Sequence, residues 1–265
     1  MIKISSKDNF HIKELVRLNN AKSARKDSGK FVVEGERLVL EALSNNVKVE
    51  QLFFTSEALE RIGGKIELDG LLEYYLIDDS LVKKIADTAS PQGIFAICNG
   101  DVINYGLPDK AEFGALMLCS LQDPGNMGTI LRSADAFGLS SVIFTSDCPY
   151  PFSPKVLRAS MGASFRVALY CVDDAQKAIG DLKRSRLNVY ASVASNEGKP
   201  ISSFNLAKSV VLIGNEGSGL SDDVKAACGD LVTIPVSDKC ESLNAAMAAT
   251  VFAWEMSKKG GTYHE

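Results

Sequence analysis

Val210-Val211-Leu212-Ile213-Gly214-Asn215-Glu216-Gly217-Ser218-Gly219-Leu220-Ser221 joins an unbroken apolar run to a loop holding three glycines in six residues. Continuous apolar runs, unlike alternating ones, mark strands covered on both faces, which belong to parallel sheets flanked by helices. Five more strand candidates surround it, at 115–121, 141–145, 166–171, 188–193 and 231–236, and most are continuous in the same way. Helix-like segments separate them at 128–138, 153–161, 174–185 and 221–228, with 242–258 last. This alternation predicts a parallel α/β domain, whose ligands sit in loops beyond the carboxyl ends of the strands.

The glycine loop is one of three in which unusual residues gather. No Gly-Lys-Ser/Thr follows it, so it is not a P-loop, and no Gly-x-Gly-x-x-Gly follows the first strand of either half. Its glycines predict backbone packed against a ligand, although a plain glycine-rich turn accounts for them equally. Glu216 has little side-chain cover there, and either faces solvent or meets a partner such as Arg132. The second loop, Gln122-Asp123-Pro124-Gly125-Asn126-Met127-Gly128-Thr129-Ile130-Leu131-Arg132, follows the strand ending near Leu121. Asn126 is expected to cap the next helix and Ile130, Ala134 and Phe137 to form its buried stripe. Arg132 then projects away from the core, near a helix N-terminus whose dipole it opposes unless an anion sits nearby. An ordinary capped helix with a surface arginine reads the same. In the third loop, Ile234-Pro235 leads to Ser242-Leu243-Asn244. Ser242 is the expected N-cap of a core helix carrying Ala246, Met247, Val251 and Trp254, with Asn244 in its first turn, where free N–H groups can hold a ligand.

The first hundred residues read as a smaller α/β unit. A basic amphipathic helix spans 10–27, with Ile12, Leu15, Val16 and Leu18 inward and Lys13 and Arg17 sharing a face. Strands are expected at 31–33, 49–55, 74–77 and 93–98, and a helix at 36–43. The turn-rich segment 99–110 marks the boundary between a domain at 1–105 and another at 106–265. Overall net charge is −4, yet residues 1–30 hold eight lysines and arginines against three acids, a local +5 on a body of −9. A basic segment on an acidic body suits a phosphate-facing surface built from Lys13, Arg17 and Arg25, and a solvated helix face suits it as well. Lys155, Arg158 and Arg166 in the acid-free stretch 151–166 extend the same choice.

Several classes of function are set aside. Only two histidines occur, His11 and His264, the latter expected in a frayed tail, and the six cysteines form no Cys-x-x-Cys pair. No metal site or histidine-based triad is expected, and the cysteines read as small buried hydrophobes of a reducing compartment. The absence of a signal-peptide core and of a long apolar span predicts a cytoplasmic protein with no membrane partner.

Taken in order and at this spacing, the three loops resemble the signature motifs of the SpoU/TrmH branch of the SPOUT methyltransferases. The matching residues are Asn126-x-Gly128-x-x-x-Arg132-x-Ala134-x-x-Phe137-Gly138, Gly214-Asn215-Glu216-Gly217-x-Gly219-Leu220-Ser221, and Ile234-Pro235 with Ser242-Leu243-Asn244. Phe31-Val32-Val33-Glu34-Gly35 looks like the ribosomal-protein-like substrate-binding domain of rRNA-modifying members. The resemblance implies a SPOUT domain with a deep trefoil knot, a homodimer formed through that domain, and S-adenosyl-L-methionine as methyl donor. It places Gly214, Ile234 and Leu243 against the cofactor, and Asn126, Arg132, Glu216, Ser242 and Asn244 around the reacting ribose. The implied activity is RNA 2'-O-ribose methylation, with ribosomal RNA of the large subunit ahead of tRNA. The rival reading is a non-catalytic RNA-binding protein of the same fold, which would be expected to have lost Arg132, Glu216 or Asn244.

That chemistry needs no histidine. A sulfonium is already a good leaving group, so alignment of the ribose 2'-hydroxyl is the main task. Family mechanisms use the counterpart of Arg132 as base. A guanidinium is effectively never deprotonated in a protein, so the expected role of Arg132 is to bind a phosphate and the 2'-oxygen. Glu216 and Asn126 would orient it.

Overall fold

The computed structural model describes residues 2–45, 47–62, 64–66, 73–100, 102–108, 114–194 and 197–258. Residues 101, 109 and 110 of the expected linker, and His264, lie outside the described residues. Contacts divide the chain into two units, residues 1–102 with 150–165, and residues 103–149 with 166–265.

The first unit runs β1 (Ile2–Ile4), α1 (Phe10–Asn20), α2 (Lys22–Ser28), β2 (Lys30–Glu34), α3 (Glu36–Ser44), β3 (Val49–Phe54), α4 (Ser56–Ile62), β4 (Glu73–Ile77), α5 (Asp79–Ile85) and β5 (Ile94–Asn99). Its sheet has the order β1-β4-β3-β5-β2. The β1–β4 and β3–β4 pairs are parallel, and β5 is antiparallel to both β3 and β2. Ile12, Leu15 and Leu18 of α1 pack with Phe53, Tyr75, Phe95 and Ile97 of the sheet. The single helix expected at 10–27 is two, because Ala21 is extended (φ −111, ψ 117) and starts a new helix that ends at Gly29 in the left-handed region. The strand β1 and helices α4 and α5 were not anticipated.

The second unit contains β6 (Ile103–Tyr105), β7 (Ala115–Leu118), α6 (Pro124–Ala136) and β8 (Ser141–Thr145). The next helix, α7 (Pro154–Ser160), groups with the first unit. Stacked rings explain this, since Phe152 lies 4.6 Å from Phe31 and 6.1 Å from Phe165, centroid to centroid. The second unit then resumes with β9 (Ala168–Val172), α8 (Ala175–Arg184), β10 (Asn188–Val193), β11 (Lys199–Pro200), β12 (Ser209–Ile213), α9 (Asp222–Cys228), β13 (Asp230–Thr233) and α10 (Ala245–Ser257). Its sheet, β11-β13-β10-β12-β7-β8-β9-β6, is parallel at every pairing. All six expected strands are present, with two short edge strands added. Because β13, β10, β12 and β7 are consecutive neighbours running the same way, the loops after β7, β12 and β13 emerge together at one end of the sheet.

Three local expectations are corrected here. Helix α6 starts at Pro124, not near 128, with Asp123 as its N-cap accepting from Gly125 N at 2.9 Å. Asn126 is therefore inside the first turn, and Arg132 lies in the third turn, too far along for the N-terminal dipole to act on it. At α10 the cap is Asn244 and not Ser242, its Oδ1 accepting from Ala246 N (2.9 Å) and Met247 N (3.3 Å). Helix α10 also does not bury Met247 and Trp254, which are 60% and 44% exposed. Ala246, Ala249, Phe252, Ala253 and Met256 form its inward face instead. The helix is apolar on nearly every side, so its pattern could not say which face turns in. Among the described residues no helix is long and apolar enough to cross a membrane.

Candidate active site

The glycine loop after β12 is shaped by its own backbone. Asn215 N donates to Gly219 O (3.0 Å) and Gly219 N to Asn215 O (2.9 Å), while Asn215 Oδ1 accepts from Gly217 N and Ser218 N. A Cβ on Gly214 would lie 2.4 Å from the carbonyl carbon of Gly219 and 2.5 Å from Leu220 N. Glycine is required there by the loop's return across itself, whatever else binds. Gly219 has φ +67, the left-handed region that disfavours side chains. Asn215 Nδ2 reaches sideways to Ser120 O (2.8 Å), fastening this loop to the one after β7.

Glu216 makes the second fastening. Its Oε1 accepts from Asp123 N and Asn126 Nδ2, both at 2.9 Å, and its Oε2 accepts from Gln122 N at 3.0 Å. Partial burial pushes the Glu216 carboxyl up, but the donors from Asn126, Asp123 and Gln122 outweigh it and hold the group below the usual carboxylate value. Asn126 then accepts at Oδ1 from Asn244 Nδ2 at 3.1 Å. One line of hydrogen bonds, Asn244 to Asn126 to Glu216, thus joins the three loops, and its first member, Asn244, also caps α10.

Beside this line is a cavity of about 300 Å³. Gly214, Glu216, Ile234, Ser242 and Leu243 line it, as do Val193, Ala248 and Phe252, which the sequence offered no signal to single out. The rim carries Lys225, which lies 3.3 Å from Glu197 and 3.1 Å from Asp222. The cavity lining mixes apolar side chains with polar and charged ones, among them Glu197, Glu216, Lys225 and Glu241, a make-up that suits a cofactor of mixed polarity. The residues present fit a cofactor that has both apolar and polar parts.

Arg132 stands apart. It is exposed and, among the described residues, has no hydrogen-bond or ion-pair partner. The expectation that Glu216 and Asn126 orient it is corrected, because both spend their polar atoms on each other, on backbone and on Asn244. Asn126 and Asn244 do not line the cavity, whereas Ser242 does.

Of the cationic set, Lys13 and Arg17 on α1 and Lys155 on α7 are exposed. Arg158 is partly covered and pairs with Asp87, and Arg166 forks onto Asp135 (2.8 and 3.0 Å to Oδ2). Arg25 is a correction. It is 7% exposed, and its Nη1 donates to Leu18 O and, at 2.9 Å, to Asn19 O. Its charge is committed to two carbonyls at the C-terminal end of α1 and does not reach a nucleic-acid backbone.

Comparison with known proteins gives the family. The model of the SpoU rRNA Methylase family matches residues 115–254, and that of the MRM3-like substrate binding domain matches residues 9–96. A protein of Synechocystis sp. named an uncharacterized tRNA/rRNA methyltransferase is 32% identical over 97% of this chain and 93% of its own. The 23S rRNA (guanosine(2553)-2'-O)-methyltransferase RlmP of Bacillus subtilis is 29% identical over 97% of this chain and 99% of its own. The crystal structure of an AdoMet-bound rRNA methyltransferase from Sinorhizobium meliloti is 26% identical, with a TM-score of 0.81 and 98% of both chains covered.

Proposed function

Because the chain belongs to the SpoU rRNA methylase family, we propose that it methylates a ribose 2'-hydroxyl of large-subunit ribosomal RNA. It is an S-adenosylmethionine-dependent RNA methyltransferase. The observation that carries the site assignment is the line Asn244–Asn126–Glu216, which binds three loops together beside the cavity lined by Gly214, Ile234 and Leu243. Those three residues would hold the cofactor, and apolar Ala248 and Phe252 share the lining with them. When bound, S-adenosylmethionine supplies a methyl group on a sulfonium, which needs no further activation.

The chain's own residues then have three tasks. Arg132, exposed and uncommitted, donates to an RNA phosphate and to the 2'-oxygen, stabilising the negative charge that develops there as the hydroxyl proton passes to solvent and the sulfonium departs as a thioether. It acts as a donor and not as a base, since a guanidinium keeps its proton. Ser242 and Asn244 hold the ribose, and Glu216 and Asn126 act through Asn244 by fixing where its loop stands. The first unit serves as the RNA substrate-binding domain and the second as the methyltransferase domain, which we take to carry the family's trefoil knot. Relatives named as rRNA methyltransferases favour ribosomal RNA over tRNA.

A homodimer forms through α10. Met247, Val251 and Trp254 follow at i, i+4 and i+7, a single stripe, and the first and last are large, exposed and apolar. A second copy is the occupant that the family membership supports. We infer a cytoplasmic location, a reading that six free cysteines suit.

Methyl transfer from labelled S-adenosylmethionine to ribosomal RNA, followed by nucleoside mass spectrometry, tests the reaction. One new 2'-O-methylnucleoside is expected, and its absence from cells lacking the gene. A base methylation instead would overturn the reaction. Arg132→Lys should lower kcat by roughly 100-fold, and near-full turnover would remove the forked donor role. Light scattering of Trp254→Lys should give a monomer where the wild type is a dimer.

A further inference from the structure

Helix α1 has an outward face whose composition the reaction does not use. Ile12, Leu15, Leu18 and Asn19 turn inward, and Phe10, Lys13, Arg17 and Asn20 turn out. Phe10, Lys13 and Arg17 stand at i, i+3 and i+7, within one side of a 3.6-residue helix. Phe10 is 71% exposed, and its ring meets that of His11 in a T-shaped arrangement, at 5.6 Å between centroids and 76° between planes. A lone exposed phenylalanine needs no explanation. One that shares its face with two cations is the pairing of ring and charge that holds unpaired nucleic acid, with bases stacked on the ring and phosphates on the cations.

The charges on this face are available. Arg17 has no acidic partner among the described residues. Lys13 is 3.3 Å from Asp8, but their side chains are 61% and 70% exposed, so the pair is a weak competitor for a phosphate. Glu14, the one acid within the helix, is turned toward Lys30 at 4.0 Å. Lys22 and Lys26, both exposed on α2, add positive charge just past the end of α1.

We propose that the outward face of α1 holds an unpaired stretch of the substrate RNA, with Phe10 stacking on a base and Lys13 and Arg17 on the flanking phosphates. This rests on the reading of the chain as an RNA-modifying enzyme and names the form of RNA its first unit grips. It also moves the basic surface away from Arg25, which is buried.

Anisotropy of a short fluorescein-labelled oligouridylate, and of a labelled RNA duplex of equal length, tests it on the full chain across a salt series. Phe10→Ala should weaken oligouridylate binding roughly 10-fold, leave the salt slope unchanged and leave duplex binding unchanged. Phe10→Trp should restore the affinity. Lys13→Ala and Arg17→Ala should each flatten the slope of log K against log salt by about 0.7. Melting temperatures of all four variants should match the wild type, since none of these side chains is buried. Equal affinity of Phe10→Ala and wild type for the oligomer overturns the proposal. So does equal weakening of oligomer and duplex, or a wild type that binds no single-stranded RNA. Methyl transfer by the wild type is scored separately, so an inactive enzyme that still loses oligomer affinity on Phe10→Ala would refute the activity and not this surface.

Discussion

Replacing Glu216 by glutamine keeps the side chain's shape but removes its charge and one acceptor oxygen, which makes it a sharp probe of how the three loops are held. The carboxylate accepts three hydrogen bonds, two at Oε1 and one at Oε2. An amide has one acceptor oxygen, so its NH2 must face a donor. The less costly orientation keeps the bonds from Asp123 N and Asn126 Nδ2 and sets the amide against Gln122 N. A hydrogen bond to a charged group contributes about 1.5–3 kcal/mol. Glu216 is exposed enough for water to reach the released N–H, and that screening reduces the expected loss to about 1–2 kcal/mol. For a protein of this size that is a fall in Tm of roughly 2–8 °C, measurable by calorimetry. Isothermal titration should show weaker S-adenosylmethionine binding, because Glu216 also lines the cavity. The effect should depend on pH in a definite sense. The folded-state pKa of Glu216 is lowered from 4.5, so its stabilisation is fully present above that value and is lost as pH falls through the folded pKa. The gap in Tm between wild type and variant should be constant near neutrality and close in acid. No gap at neutral pH, or a gap that widens on acidification, would refute the fastening role.

Three further outcomes follow from other sites. Gly214→Ala forces a methyl group to within 2.5 Å of the Gly219–Leu220 backbone, so it should destabilise the second unit by about 3 kcal/mol and abolish cofactor binding by calorimetry. Arg25→Met should lower stability by about 2 kcal/mol, by leaving the carbonyls of Leu18 and Asn19 without their donor. It should leave the salt slope of RNA binding unchanged, and a changed slope would return Arg25 to the RNA surface. With Ellman's reagent at pH 8, the exposed Cys240 should react first, and Cys240→Ser should remove that fast phase. Burial raises the thiol pKa of Cys98, Cys119 and Cys148, and that of Cys228 to about 11, so these should react only on unfolding.

The parallel domain was legible because its strands are buried on both faces, and that leaves a strong one-dimensional trace in runs such as 210–213. The three loops were legible because glycine, asparagine and glutamate are costly or odd choices just beyond such strands. Helix starts were less so. Asp123 and Asn126 are both good caps, as are Ser242 and Asn244, and only the chain's direction on leaving the strand decides between them. Strands β1, β6 and β11, of two or three residues, are too short to carry a period. Arg25 misled because an arginine amid lysines reads as surface until two helix-end carbonyls are found waiting for it. The segment 150–165 misled for a similar reason, since the aromatic ring that Phe152 and Phe165 stack on, Phe31, lies more than a hundred residues earlier in the chain.

The hydrogen bonds that close the site also bear on how the protein acquires activity. The bond between Asn126 and Glu216 spans 90 positions, and that between Asn126 and Asn244 spans 118. Closing loops of such length costs entropy before the contact can return any stabilisation. The parallel sheet must therefore be nearly complete, and α10 docked, before the line of bonds can form. Refolding should show native-like secondary structure well ahead of cofactor binding, and chains truncated before Asn244 should hold a sheet but no site. Activity in this fold is a late-folding property, which makes it the first one lost to any mutation that slows the docking of the last helix.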